Sequence, residues 1–129
     1  MPRAAAAAAH LATTIAGPRW RGPWWFRVRG RSMLPTLQEG DAVFVRPRLP
    51  ADLPPGALVV ADDPDGSGRV LVKRLEAVGP AGIVVRSDNR SEGRDSRQFG
   101  PIPFHHLHGQ VLFVWTRDGA LRRPPPLRS

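Results

Sequence analysis

The chain contains no cysteine, so disulfides, thiolate metal sites and a thiol nucleophile are excluded, and any covalent chemistry must come from oxygen or amine groups. It is also nearly without lysine: of 19 lysines and arginines, only Lys73 is a lysine. Arginine stays protonated at any workable pH, whereas a lysine can lose its charge on burial and act as a base. One amine in a chain that otherwise uses arginine therefore marks a place that requires it. A third lack is a long apolar run. The alanines of residues 4–9, continued by Leu11 and Ile15, are broken by His10, Thr13, Thr14 and Gly17, and fall short of the about 20 apolar residues of a spanning helix. The stretch reads as a disordered or frayed helical leader in preference to a cleaved signal peptide.

A length of 129 residues leaves room for one modest domain. The expected organisation is a flexible leader over 1–24, a domain over 25–118 and a disordered Pro/Arg-rich tail over 119–129, with Pro124, Pro125 and Pro126 in a row. The formal charge of +8 suits an anionic partner, but the arginines are scattered from Arg19 to Arg128 as a coding bias would scatter them. Trp20, Trp24, Trp25 and Phe26 stand between Arg19, Arg21 and Arg27, a mixture suited either to a membrane interface or to covering one end of a small core.

Short runs rich in Val, Leu and Ile at 26–28, 41–45, 57–61, 70–75, 83–86 and 110–115, separated by Gly and Pro, predict an all-β domain with no long amphipathic helix. Residues 47–55 and 62–68 are turn and loop material.

Three segments carry chemistry. In Gly30-Arg31-Ser32-Met33-Leu34-Pro35-Thr36, followed by Gly40-Asp41, a serine sits on a constrained turn where its hydroxyl is exposed and backbone N–H groups can meet an oxyanion. In Val70-Leu71-Val72-Lys73-Arg74-Leu75, strand alternation puts Lys73 on a face with Leu71 and Leu75, and apolar company lowers an ammonium's pKa. In Ser87-Asp88-Asn89-Arg90, then Asp95-Ser96-Arg97 and Phe99-Gly100-Pro101-Ile102-Pro103, the Asp and Asn suit a turn, and Asp95 with Arg97 offers a charge-assisted pair that fixes the loop. His105, His106 and His108 lack carboxylate or thiolate partners at ligand spacing, so no metal is assigned.

In this order the segments resemble the type I signal peptidase family of Ser/Lys-dyad peptidases over residues 28–115. The resemblance implies a coiled, partly open β barrel of the signal peptidase and self-cleaving repressor type. It implies Ser32 as nucleophile, Lys73 as general base, and Gly30 with the Ser32 N–H at the oxyanion. Met33, Pro35, Asp88, Asn89, Arg90, Asp95, Ser96 and Arg97 support them, and no cofactor is expected. The substrate would be a precursor protein whose N-terminal leader binds as an extended strand. Trp24, Trp25 and Phe26 are expected either to make peripheral membrane contact or to line the substrate groove.

Two features depart from the family pattern. Gly93 stands where relatives carry a serine bonded to the lysine, a loss that Ser91 or Ser96 could offset, and neither the transmembrane anchor nor the large insertion of relatives is expected. Short members of this kind resemble the nickel-type superoxide dismutase maturation proteases, which implies removal of an N-terminal leader; the expected location is cytoplasmic or peripheral at the membrane. The alternatives are a general signal peptidase at the membrane and, in another class, a catalytically inactive basic β barrel binding nucleic acid or anionic membrane. A DNA-binding role is not expected, because too few residues precede Phe26 for a helix-turn-helix.

Overall fold

The alternating and continuous apolar runs become strands, and the computed structural model, which describes residues 24–126, joins them into one antiparallel sheet. In chain order they are β1 Trp24–Arg27, β2 Ala42–Arg46, β3 Leu58–Asp62, β4 Val70–Gly79, β5 Gly82–Arg86, β6 Leu107–Trp115 and β7 Leu121–Arg122. The spatial order is β1-β2-β6-β3-β4-β5, with β7 paired to β6. The register slips at Phe44/Val45, Val60/Ala61 and Leu75/Ala77, and such bulges raise the local twist. The sheet accordingly curls into a half-barrel, the all-β fold expected from the sequence. The one α-helix among the described residues is a single turn, α1 Ser96–Phe99.

Two cores lie on opposite faces of β3, which explains why that strand is apolar throughout and not alternating. Leu58 and Val60 face a cluster with Phe26, Met33, Leu37, Val43, Val72 and Val111. Val59 and Ala61 face a second cluster with Leu53, Leu75, Ile83, Val85 and Ile102. Phe26 is only 1% exposed, so of the two roles the sequence left open for it, core and lipid-facing surface, it takes the core. Neighbouring positions on β1 point to opposite faces, which turns Arg27 outward instead.

Two stretches of strand edge near Ser32 and Lys73 lack a partner among the described residues. There, β1 pairs with β2 alone. β4 has β3 along one side from Val70, but β5 joins its other side only from Arg74 onward, so among the described residues Val70–Lys73 has no strand on that second side. One edge leads into the Ser32 loop and the other ends at Lys73.

Part of the stretch read as a disordered tail is placed. Leu121 and Arg122 pair with Trp115 and Val114, the Arg122 guanidinium donates to the Thr36 carbonyl at 3.2 Å, and the Pro125 carbonyl accepts from Arg74 at 3.1 Å. Polyproline has free carbonyls and no internal hydrogen bonds, which makes it a ready acceptor strip.

Candidate active site

Ser32 lies in the loop between β1 and β2 and is held from two directions. The Asn89 backbone N–H donates to the Ser32 carbonyl and the Asn89 Nδ2 to the Arg31 carbonyl, each at 2.9 Å. On the other side Met33 is buried in the first core, and its Sδ accepts from the Asp88 N–H at 3.3 Å. These contacts fix the main chain and leave the Ser32 side chain half-buried. No described residue accepts from the Ser32 N–H, and Gly30, at φ +82° with open space around its α-carbon, leaves that flank uncovered.

Lys73 is 4% exposed on the β4 face shared with Leu75, and Val59 is its partner across β3. Leu71, expected beside it, is half-buried. The Lys73 Nζ lies 3.2 Å from the Ser32 Oγ and 2.9 Å from the Ser87 Oγ. Burial pushes its pKa down from 10.5 to about 8; Asp95 and Asp63 pull it back up, and Arg94 presses it down. At pH 7 about one amine in ten is then neutral, against about one in 3,000 at the ordinary value.

The supporting residues form two layers. Asp95 is fully buried and accepts from the Ser87 N–H at 2.8 Å, from the Arg97 N–H, and from the Arg97 guanidinium. Burial alone would raise this carboxyl, but those donors prevail and hold it at about 2. Asp95 also caps α1 in a capping box with Gln98, and the Ser96 Oγ accepts from the Val85 N–H, so α1 is tied to the end of β5. On the opposite face of β4, Asp88 pairs with the buried Arg74 at 2.7 Å and accepts from the Thr36 hydroxyl. Pro35 and Arg90 are exposed and line a surface cavity of about 670 Å³ with Thr36, Arg74, Arg86 and Asp88.

The serines proposed to offset Gly93 do not do so: the Ser91 Oγ donates to Asn89 and the Ser96 Oγ serves Val85. Ser87 is the residue missed. A serine at a strand end looks like turn material, and only the fold shows that its neighbour across the site is a glycine. Arg74 and Thr36 were missed likewise, since a buried arginine beside a buried lysine has no signal in alternation. The His108 Nε2 lies 2.7 Å from the Asp62 Oδ1, and among the described residues no group of three or more His, Asp or Glu is placed to hold a metal.

Comparison with known proteins turns this geometry into a class, that of the peptidases. A family model described as Peptidase S24-like matches residues 20–103, and the chain belongs to that family. Mitochondrial inner membrane protease subunit 1 of Mus musculus and of Homo sapiens are each 29% identical over 121 residues, covering 74% of this chain and 73% of theirs. The mitochondrial ATP-independent inner membrane protease subunit 1b of Arabidopsis thaliana is 28% identical over 112 residues, covering 67% and 66%. The likeness to signal-peptidase-type enzymes read from the sequence therefore holds. Among the described residues no helix is long and apolar enough to cross a membrane.

Proposed function

We propose that the chain is a serine endopeptidase in which Ser32 is the nucleophile and Lys73 its base, and that it removes an N-terminal leader from a precursor protein. The observation that carries this reading is a buried amine, with its pKa lowered to about 8, at 3.2 Å from a half-buried serine hydroxyl. The neutral Nζ takes the Ser32 proton as Oγ attacks the scissile carbonyl, and the charge on the carbonyl oxygen meets the unengaged Ser32 N–H. The protonated amine then gives its proton to the departing nitrogen, leaving an acyl ester on Ser32. Water, deprotonated by the same amine, hydrolyses that ester.

The two open edges support an extended substrate. A peptide strand laid between β1 and the Val70–Lys73 edge of β4 satisfies main-chain groups that no described strand pairs, and it delivers a carbonyl to the place where both edges end. The test is cleavage of a leader peptide carrying Ala at the first and third positions before the cut. Ser32→Ala and Lys73→Arg should each lower the rate by roughly 10³-fold or more, as loss of a nucleophile or its base does elsewhere. Full activity in either variant refutes the pair. Lys73→Arg is the sharper of the two, because it keeps the charge and removes the base. A nickel-type superoxide dismutase precursor is one candidate substrate and general secretory precursors are another; assaying both separates them.

A second element of the proposal is peripheral contact with an anionic membrane. Trp25, Phe44 and Phe113 are cross-strand partners on the outer sheet face, with ring centroids 4.8 and 6.3 Å apart. Trp115 and Leu121 are exposed beside them, and Arg27 and Arg46 flank the patch. Phe26 has no part in it, and the side chain of Trp24 lies outside the described residues.

A further inference from the structure

We propose that Ser87 is the residue that orients the base, so that in this chain the hydroxyl steering Lys73 comes from the end of β5 and not from position 93. The inference rests on the Ser32/Lys73 reading and deepens it.

A neutral amine has one lone pair and two N–H groups, and it accepts the Ser32 proton only when the lone pair faces Oγ. Four single bonds in the lysine side chain leave that direction open unless another bond fixes it. The Nζ–Ser87 Oγ bond, at 2.9 Å and buried, is shorter than the bond to Ser32 and supplies the second anchor. With one N–H committed to Ser87, tetrahedral geometry turns the remaining positions of Nζ toward Ser32. After proton transfer the same hydroxyl accepts from the ammonium, so the anchor serves both charge states.

Ser87 is itself immobilised. Its N–H donates to the fully buried Asp95 carboxylate, and two residues earlier on the strand the Val85 N–H is held by Ser96. Position 93 cannot perform this task as the chain is folded. Gly93 has φ +96°, and a Cβ there would lie 2.4 Å from the Ser32 Cβ and 2.7 Å from the Ser87 Oγ. A side chain at 93 and the hydroxyl of Ser87 therefore claim the same space, and a glycine at 93 is what admits the serine at 87.

The test uses the full chain and the same Ala-containing leader peptide. Ser87→Ala should lower kcat by about 10- to 100-fold with KM within about twofold, the pattern of a lost orientation and not of lost binding. Ser87→Thr, which keeps the hydroxyl, should recover most of the loss. A readout independent of activity follows from Lys73 being the only lysine: protein grown with ε-carbon-labelled lysine gives one methylene signal. Held between two hydroxyls, its two protons should be inequivalent in the parent, and they should merge in Ser87→Ala. Unchanged kcat in Ser87→Ala, or a fall in kcat with the lysine signal unaltered, overturns the assignment while leaving the pair standing. Activity that survives Ser32→Ala or Lys73→Arg removes the pair itself, and the two failures are thus distinguishable.

Discussion

At the scale of single residues, Lys73 as the proposed base predicts a pH response. The free ammonium cannot accept a proton, so kcat/KM should rise about tenfold per pH unit in acid, bend near pH 8 and level off above it. A profile that bends below pH 6 would place the base elsewhere. Gly93 sets a second expectation. Gly93→Ala forces a left-handed backbone on a residue with a Cβ and pushes that Cβ against Ser32 and Ser87. Strain of this kind costs about 1–3 kcal/mol, so the unfolding midpoint should drop and the cleavage rate should fall further than stability explains. Ser32 and Lys73, whose side chains the fold brings to 3.2 Å and on which the proposal rests, each had a signal in the sequence, a serine in a Gly- and Pro-bounded turn and a lone amine on a strand. Ser87 had none, since its importance is a property of the gap that Gly93 leaves opposite it.

At the scale of elements, the strand runs of the sequence reading reappear within a few residues, because β-branched periodicity is a local property. What escaped is β7, a two-residue strand whose pairing is decided by β6, and the extension of β4 to Gly79, where a bulge breaks the alternation. The α1 turn did have a signal in Asp95 and Gln98, three residues apart, but four residues are too few for a helical period to show. The pairing of β4 with the loop after β5 also yields a prediction. Arg74 and Asp88 have side chains 3% and 4% exposed, and Asp88→Ala leaves a buried guanidinium with only carbonyl and hydroxyl partners. Breaking a buried pair in this way costs about 3–5 kcal/mol, to be read from denaturant unfolding. Replacing Arg74 by Met in the same chain should return much of it, and if the double variant is no more stable than the single one, the pair is not the cause.

At the scale of the whole molecule, the outer aromatic face and the net charge of +8 act together. Flotation with vesicles containing anionic lipid should carry the protein upward, and neutral vesicles should carry less. Replacing Trp25 and Trp115 with Ser should release it, while the buried Phe26 is no target for such a test. Retention of the double variant on vesicles would shift the contact to another surface.

The two open edges have a further consequence for the protein on its own. A half-barrel that another backbone can complete is equally open to a second copy of itself, the first step of edge-to-edge aggregation. The exposed Arg27 and Arg29 lie on β1 and its continuation, and they set like charges against each other in any such self-pairing. Repulsion of this kind is screened by salt, whereas an uncharged, Ala-rich guest strand does not meet it. For the extended substrate proposed above, these arginines are gatekeepers that admit a stranger and turn away a sibling.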